Sequence, residues 1–221
     1  MLGTARRALM ARPRSAGFDD QREQILAAAA QLFASRGYTA ATMNDVAAAC
    51  GVSKATLYHY VRDKQGLLLQ ITAGHVARLE TLVQAVAAQG LAPQAHLSAL
   101  IQRFMQVYAR AEHEHRVLTE DVKFLAEADR DAVLAAQRRV VAAFAQAVAT
   151  LRPDLRTAGL HTPLALLLFG MINWTFTWLK AGGALTHETL APVVTALFLG
   201  GLPAVVVPAR ARVRARANSP H

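Results

Sequence analysis

Four polar or aromatic side chains, Lys54, Thr56, Tyr58 and His59, follow Gly51 within eight residues. They carry hydrogen-bond donors and acceptors that suit contacts to phosphate oxygens and to base edges. The residues just before Gly51 are small or apolar, so two short helices could press together across a tight turn. This pattern is typical of a helix-turn-helix, whose second helix enters the DNA major groove. An ordinary helical hairpin with a polar outer face is the alternative that spacing alone leaves open.

Apolar periodicity and capping residues predict the helices that would position this segment. The predicted fold class is all-α, with about nine helices and no strand, and a content of 46 alanines favours the same class. Thr42, Ser53 and Asp63 are suited to cap the second, third and fourth helices. The expected helices span about 21–36, 43–50, 54–60, 64–89, 93–111, 119–125, 129–152, 163–180 and 187–200. Pro192 implies that the last helix starts later or is kinked.

The net charge of +9 is carried by the two ends of the chain. Residues 1–17 and 203–221 each hold four arginines and no acidic residue, and we expect both to be disordered basic tails. Cys50 is the only cysteine, which excludes a disulfide framework and suits a reducing cytosol. The longest apolar run, 164–179, is shorter than a membrane span, and no secretion signal opens the chain. We therefore expect a cytoplasmic protein without membrane contact.

The segment 25–68, ILAAAAQLFASRGYTAATMNDVAAACGVSKATLYHYVRDKQGLL, resembles the DNA-binding half of the TetR/AcrR family of bacterial repressors. The matching elements are LF…GY at the end of the first helix, the Thr42 cap, VA…GVSKATLY, and the lysine that follows. Two positions depart from the pattern of the family. Val61 stands where the family usually has Phe, and Ala55 stands where Gly is frequent.

This resemblance implies two domains and a set of DNA contacts. A helix-turn-helix DNA-binding domain would span 18–66, and a ligand-binding and dimerisation domain would span 67–202. The residues expected to bind double-stranded operator DNA are Thr42, Ser53, Lys54, Thr56, Tyr58, His59 and Lys64. Thr42, Tyr58 and Lys64 would anchor phosphates. Lys54, Thr56 and His59 would lie at or near base edges. Arg36 and Arg62 are second-line candidates, and Tyr60 is equally suited to the core.

The last two predicted helices are apolar around much of their circumference. That pattern indicates burial on more than one side or an obligate interface. The family resemblance implies the second, because the last two helices of each subunit would form a four-helix bundle about the two-fold axis of a homodimer. The expected interface residues are Trp174, Trp178, Val194, Leu197 and Phe198.

Aromatic and aliphatic residues of the middle helices indicate a pocket for a lipophilic small-molecule effector. The expected lining is Phe104, Tyr108, Phe124, Phe144, Phe169, Ile172 and Phe176, although each of these is individually suited to the core. Basic residues at a mouth would meet an acidic group of the ligand. The candidates for that role are Arg103, Arg116, Lys123, Arg138 and Arg139.

Two segments indicate the class of effector. GMINWTFTWLK is similar to repressors that sense acyl-CoA thioesters, and EHRVLTEDVKFLAEADRD is similar to repressors of phenylacetate catabolism. The resemblance implies that an acyl- or aryl-CoA, with phenylacetyl-CoA as the best single match, releases the protein from a palindromic operator. An efflux repressor that senses lipophilic drugs is the alternative. A cation sensor needs carboxylates in its pocket, whereas the acidic residues of 120–131 cluster at polar helix starts.

The sequence contains no GxSxG, P-loop or GxGxxG pattern in the context that an enzyme requires. The only cluster that resembles a metal site is Glu112–His115, where residues i and i+2 of a helix would point to different faces. Cys50 is expected to be a small packing residue rather than a nucleophile. We therefore expect no catalytic residue, no metal and no cofactor. A helical scaffold protein is the alternative from a different class.

Overall fold

The computed structural model describes residues 16–179 and 182–207, and within them the chain is all α-helical without a strand, as predicted. The helices are α1 (Ala16–Arg36), α2 (Met43–Ala49), α3 (Lys54–Tyr60), α4 (Lys64–Ala87), α5 (Pro93–Arg110), α6 (Glu112–Asp121), α7 (Glu127–Leu151), α8 (Pro153–Thr157), α9 (His161–Asn173), α10 (Thr175–Trp178) and α11 (His187–Gly201). Two 3₁₀ turns, Val122–Phe124 and Leu202–Ala204, follow α6 and α11. Most of the two expected basic tails lies outside the described residues.

Side-chain caps start three of the N-terminal helices where the sequence predicts them. The Thr42 hydroxyl accepts a hydrogen bond from the Asp45 backbone N–H at 3.2 Å, and the Asp45 carboxylate accepts one from the Thr42 backbone N–H at 2.9 Å. This reciprocal pair is a capping box that starts α2. Ser53 Oγ accepts from the Thr56 N–H at 3.0 Å at the start of α3, and Asp63 caps α4 in the same way.

Buried apolar side chains form two clusters, and α4 contributes to both. The first cluster joins α1, α2, α3 and the first half of α4, and it also takes in Val117, Leu118, Leu125 and Val133 from α6, α7 and the segment between them. The second cluster joins the second half of α4 to α5, α7, α9 and α11. The expected domain boundary at 66/67 therefore falls inside a continuous helix and inside the first cluster.

The start of α6 differs from the sequence expectation. The stretch AEHEHR was expected to interrupt the helices until Thr119, yet α6 already begins at Glu112. His115, Val117 and Leu118 are buried, and α6 packs against α1 and α4. This tertiary packing compensates for the low helix propensity of a histidine-rich polar segment.

The C-terminal helices are also divided differently from the expectation. The short helix α8 was not expected, since Pro153 begins it rather than only ending the helix before it. Trp174 separates α9 from α10, where one continuous helix was predicted. A capping box of Thr186 and Thr189 starts α11 at His187, where the expected span begins. Of the two alternatives for Pro192, the later start is therefore excluded, and Pro192 lies inside the helix.

Among the helices in the described ranges, α7 is long and apolar enough to meet the length and composition of a membrane span. It packs against α4, α5 and α9, and its Phe144 and Val148 side chains are fully buried between these helices. A core helix of a soluble protein has the same length and composition. Length and composition alone are therefore weak evidence that α7 spans a membrane.

The residues after α11 are anchored to the end of α7. The Arg152 guanidinium donates to the Leu202 carbonyl oxygen at 2.5 Å and to the Val205 carbonyl oxygen at 3.2 Å. It also forms an ion pair with Asp154 at 2.7 Å. The part of the expected C-terminal tail from 203 to 205 is thus held against the helical body.

Candidate nucleic-acid interface and internal cavity

The turn between α2 and α3 is tight, and a backbone hydrogen bond and buried side chains hold it in place. Gly51 has φ +65°, a left-handed conformation that glycine adopts without steric cost. The Val52 N–H donates to the Ala47 carbonyl oxygen at 3.0 Å across the turn. Val46 and Leu57 are fully buried between the two helices and the first cluster. The outer face of α3 is therefore held in one orientation, as a helix-turn-helix requires.

The residues predicted to read DNA lie together on the outer face of α3 and at its start. Ser53, Lys54, Tyr58 and His59 are exposed, and Thr56 is half-buried. The hydroxyls of Ser53 and Thr56 are 2.8 Å apart and share a hydrogen bond. Part of their hydrogen-bonding capacity is therefore used at the N-terminus of α3 rather than left for DNA. Lys54 and His59 have side chains in solvent, and Tyr58 is 45% exposed although it is aromatic.

Thr42 is exposed at the start of α2, but its polar groups are engaged. Its hydroxyl donates to the Asp45 carboxylate at 2.6 Å, and the hydrogen bonds from Thr42 to that carboxylate hold the pKa of Asp45 below its ordinary value. Arg36 lies 3.6 Å from the same carboxylate and offsets its charge. A contact of Thr42 to a phosphate would have to share the hydroxyl with the capping box.

Lys64 is closer to the body of the protein than Lys54 is. Its ammonium donates to the Thr39 carbonyl oxygen at 3.3 Å and lies 4.3 Å from the centre of the Tyr38 ring. Burial lowers the pKa of Lys64, and the Coulomb attraction of Asp121 opposes this effect. An ammonium has three donors, so two remain for an external anion such as a phosphate.

The sequence left Tyr60 equally suited to a DNA contact and to the core, and in the structure Tyr60 packs against α1. Its ring stacks on Phe18 with a centroid distance of 4.6 Å. Arg36 and Arg62, the second-line candidates for DNA contacts, are exposed at the surface. Arg62 forms an ion pair with Asp63 at 3.8 Å. Cys50 is half-buried at the end of α2, and burial raises the pKa of its thiol, which disfavours a nucleophilic thiolate at neutral pH.

A cavity of about 120 Å³ lies between α4, α5, α6, α7 and α9. Most of its lining is apolar, and its polar lining residues are Tyr108, His115, Thr119, Gln137 and Asn173. None of the lining residues is an acid, a lysine or an arginine. Small-molecule sites in proteins have this character, with apolar walls and a few converging polar groups.

Three polar side chains meet at one wall of the cavity. The Tyr108 hydroxyl donates to Asn173 Oδ1 at 2.9 Å, and burial raises the pKa of this phenol far above its ordinary value. The His115 ring stacks on the Tyr108 ring with a centroid distance of 3.8 Å. His75, which is fully buried on α4, lies behind them with its ring centroid 5.5 Å from that of His115.

The two histidines are buried in the neutral form. Desolvation, reinforced by the Coulomb repulsion of His115 and Arg78, lowers the pKa of His75 to about 3. Desolvation also lowers the pKa of His115 to about 4, against a raising contribution of the Asn173 backbone. Sequence reasoning missed both residues. The available signal was that His75 follows Leu68, Ile71 and Thr72 on the apolar face of α4, where a histidine must be buried.

The predicted aromatic lining is only partly at the cavity. Tyr108 and Phe169 line it. Phe104 and Phe144 pack edge-on at 4.7 Å, and Phe144 packs against Phe169 at 4.8 Å, so these rings form core behind one wall. Ile172 is fully buried in the same cluster.

Phe176 and Phe124 are placed differently from each other. The Phe176 ring lies 6.0 Å from the His115 ring, close to the polar wall. Phe124 instead stacks on Tyr38 at 5.4 Å and packs against the first cluster, apart from the other predicted lining residues. The 3₁₀ turn after α6 therefore places this ring beside the segment that joins α1 to α2.

A second, more open cavity of about 370 Å³ lies where the end of α5 and the start of α6 face the start of α11. Its lining includes His187 and two carboxylates, Glu112 and Glu188. No group of three or more potential metal ligands occurs in the described parts of the chain. The expected Glu112–His115 cluster is divided between surface and interior, because His115 is buried and Glu112 is exposed.

An apolar face is exposed on α9, α10 and α11, and it contains three of the five residues expected at a dimer interface. Trp174, Trp178 and Leu197 are 53%, 52% and 65% exposed. Leu166, Leu167 and Val193 are exposed on the same helices. Val194 and Phe198, in contrast, are buried within the protomer as part of the second cluster. Their main contacts are therefore internal.

Two known sequence families match this chain. The family described as bacterial regulatory proteins, tetR family, matches residues 25–71. The family described as tetracyclin repressor-like, C-terminal domain, matches residues 90–202. The HTH-type transcriptional repressor KstR2 of Rhodococcus jostii is 26% identical over 191 residues, which cover 85% of this chain and 94% of that protein.

Solved structures give the same relationship. A TetR-family transcriptional regulator from Bordetella parapertussis is 34% identical with a TM-score of 0.77, and the match covers 85% of this chain and 98% of that one. AibR, solved in complex with isovaleryl coenzyme A and operator DNA, is 27% identical with a TM-score of 0.69, covering 80% of this chain and 97% of its own. These relatives and KstR2 are regulators rather than enzymes.

Proposed function

We infer that this chain, which belongs to the TetR family of bacterial regulatory proteins, is a homodimeric transcriptional repressor that a small effector releases from a palindromic operator. The observation that carries the proposal is the rigid α2–turn–α3 unit, whose exposed face presents Lys54, Tyr58 and His59. A protein that binds chromosomal DNA would act in the cytoplasm. The apolar face of α9, α10 and α11 supports dimerisation, because such a patch on a monomer marks an interaction site.

A dimer would present two α3 helices to successive major grooves, about 34–36 Å apart. Phosphate contacts from Thr42, Tyr58 and Lys64 would set the position of the protein on DNA, and Lys54, Thr56 and His59 would read bases. Ser53 contributes mainly through its cap of α3. The exposed ammonium of Lys54 is the side chain best placed for specificity, since lysine pairs with the acceptors of guanine.

Effector binding would change the spacing of the two α3 helices through α4 and α6. The cavity touches α4 at Val76 and Leu79 and touches α6 at His115. The 3₁₀ turn after α6 meets the start of α4, which directly follows the helix-turn-helix, and there the Gln65 side chain donates to the Phe124 carbonyl oxygen at 2.8 Å. A shift of these helices by the ligand would weaken both half-site contacts together. A coupling of about 1–3 kcal/mol would lower operator affinity roughly 5–150-fold.

An acyl-CoA is the effector class that the cavity supports best. The lining carries no charge, which suits an acyl group, and the relative AibR was solved with isovaleryl coenzyme A. An apolar cavity of roughly 150 Å³ holds a benzene ring. At about 120 Å³, the cavity here fits a short branched acyl group as it stands, and phenylacetyl would require it to widen. Arg116 and Arg138, which directly follow lining residues on α6 and α7, are candidates to meet the CoA phosphates.

One observation favours the alternative, a repressor of an efflux system that senses lipophilic cations. Glu112 and Glu188 line the second cavity, and a cationic drug would need such carboxylates. Both carboxylates are exposed, so water screens their charges and would weaken their hold on a cation. We therefore rank this function second.

A gel-shift titration separates the effector classes. Operator recovered by selection from random duplexes is titrated with isovaleryl-CoA, phenylacetyl-CoA, free phenylacetate and a cationic dye. We expect release by at least one CoA thioester and none by free phenylacetate. Release by the dye but by no thioester would reject the acyl-CoA class and leave the repressor function standing.

The DNA interface is tested with two matched lysine variants. Lys54→Ala is expected to lower discrimination between operator and random duplex by about 1–3 kcal/mol. Lys64→Ala should weaken all sequences about equally and flatten the salt dependence. Arg156→Ala, which removes an exposed cation on α8, is the control with little effect. Selection that enriches no motif, or equal affinity for all DNA, would contradict sequence-specific binding.

A further inference from the structure

His115 has an environment that packing alone does not explain. It is buried at the wall of the cavity, and neither of its ring nitrogens makes a hydrogen bond of good geometry within the described residues, although the Asn173 backbone lies near enough to raise the pKa of the ring. Both nitrogens of His75, which lies next to it, are in the same situation. A buried polar group without a partner destabilises the folded protein, so each such group in a native structure has a reason.

The two neutral imidazoles offer a defined set of hydrogen bonds. A neutral imidazole has one N–H donor and one acceptor nitrogen. The Tyr108 hydroxyl is used in its hydrogen bond to Asn173 Oδ1 at 2.9 Å, which leaves the Asn173 amide N–H groups and the His115 ring as donors at this wall of the cavity. Asn173 is half-exposed, where water can serve its amide, whereas His115 is buried. Thr119 and Gln137 lie on the parts of α6 and α7 that remain half-exposed, where water can serve them.

We propose that His115, held from behind by His75, is the specificity-determining residue of the effector site and donates a hydrogen bond to an uncharged carbonyl oxygen of the ligand. The inference rests on the proposed function only in placing the effector in this cavity. A carbonyl accepts the imidazole N–H and brings no charge into a wall that has none to balance it. A carboxylate would enter without a cation to pair with, and an ammonium would enter without a carboxylate.

The ligand class follows from the position of the carbonyl. Apolar side chains of α4, α7 and α9 form most of the remaining lining of this cavity of about 120 Å³. The matching ligand is a short apolar stem that ends in an uncharged carbonyl, as in a thioester, and the corresponding free acid is excluded at neutral pH. The proposed effector class is thereby narrowed to ligands with an uncharged carbonyl next to a short apolar stem, and this requirement does not depend on the CoA portion.

Two pairs of probes test the donor. Isovaleryl-CoA and its thioether analogue S-(3-methylbutyl)-CoA differ only by the carbonyl oxygen. The ketone 4-methylpentan-2-one and the carboxylate 3-methylbutanoate share one apolar stem and need no CoA site. Binding of each to the full chain is measured by calorimetry at pH 7.5. The variants are His115→Leu and, as a matched control, His161→Leu, because His161 also has a buried unpartnered ring nitrogen but does not line the cavity.

We expect the wild-type protein to bind the thioester about tenfold more tightly than the thioether, as one net hydrogen bond predicts. His115→Leu should reduce this ratio to about one, and His161→Leu should keep it. His115→Leu should also raise the melting temperature of the unliganded protein by about 2–4 °C, because it removes an unsatisfied polar group. A histidine retained for packing alone would give a lower melting temperature and an unchanged ratio.

The outcomes separate this inference from the proposed function. If neither CoA compound binds, the acyl-CoA class fails, and the ketone then decides the role of His115. Preference for the ketone over the carboxylate that is lost in His115→Leu supports the donor. Equal or absent binding of the ketone in that case, or equal affinity of the wild-type protein for thioester and thioether, overturns it.

Discussion

We expect the folding stability of this protein to fall below pH 6.5, because His75 and His115 are buried in the neutral form. The unfolded chain takes up a proton at each histidine near the ordinary pKa of 6.5, whereas the folded pKa values are about 3 and about 4. The folded pKa lies below the unfolded one for both groups. Their stabilising contribution is therefore complete above pH 6.5 and is lost as the pH falls toward 4 and then 3.

The magnitude follows from the distance between these pKa values. One pH unit below 6.5 corresponds to about 1.4 kcal/mol for each histidine that is protonated only in the unfolded chain. At pH 5.0 the loss is about 2 kcal/mol for each residue and about 4 kcal/mol for the pair. A domain with a total stability of roughly 5–15 kcal/mol loses a substantial part of it.

Protonation of Asp121 stabilises the folded protein at low pH and partly offsets this loss, so the pH dependence of the wild-type protein alone does not isolate the histidines. Desolvation first, and then the Coulomb repulsion of Glu120, raises the pKa of Asp121 to about 6, so its folded form binds a proton more readily than its unfolded form. Between pH 7.5 and 5.0 it adds about 1–1.5 kcal/mol of stability. The histidine contribution is therefore isolated as the difference between a variant and the wild-type protein at two pH values.

The assay is urea unfolding of wild-type protein, His75→Leu and His115→Leu at pH 7.5 and pH 5.0, with linear extrapolation to water. The protomer concentration is held fixed, since a dimer is stabilised by association. Each variant should gain about 2 kcal/mol relative to the wild-type protein when the pH is lowered. If the free-energy difference between variant and wild type is the same at both pH values, the conclusion that these histidines are buried in the neutral form is wrong.

Three further outcomes are expected. Leu197→Glu, which places a charge at a 65% exposed apolar position, should give a folded monomer by light scattering and abolish operator affinity. A Leu197→Glu variant that is still dimeric would mean that the interface lies elsewhere. Phe198→Glu should instead lower the free energy of unfolding, because Phe198 is buried in the protomer. Thr42→Ala should lower the free energy of unfolding by about 1 kcal/mol through loss of the capping box, measured by urea unfolding. Asp121→Asn should raise that free energy by about 1–3 kcal/mol at pH 7.5 and change it little at pH 4, and an equal effect at both values would contradict its raised pKa.

The helix-turn-helix could be predicted in detail because its signals are local. Thr42, Ser53 and Asp63 cap the helices that they were predicted to cap, and Gly51 has the left-handed conformation of a tight turn. Such caps and turns depend on residues only three or four positions apart. The resemblance of 25–68 to a known family depends on the same short spacing, and the family match covers 25–71.

The cavity could be predicted only in outline, because its walls depend on contacts between distant helices. Phe124 follows α6 in sequence, yet the 3₁₀ turn after α6 directs its ring to Tyr38, 86 positions earlier. Phe198 and Leu197 are neighbours in the chain but lie on different faces of α11, so Phe198 is buried in the protomer and Leu197 is exposed. The phase of a helix that is apolar on most sides cannot be read from hydrophobicity, since every face is suited to burial.

The packing of α6 on α1 limits how this regulator could be rebuilt as a biosensor. A chimeric sensor would join the DNA-binding part of one regulator to the effector-binding part of another at a single junction in the sequence. Here a junction at 66/67 would exchange Val117, Leu118, Leu125 and Val133 for foreign side chains under α1 and α4. The transplantable unit is therefore discontinuous: a working chimera must carry the segment 115–133 together with the helix-turn-helix, or else redesign the side chains where the two meet.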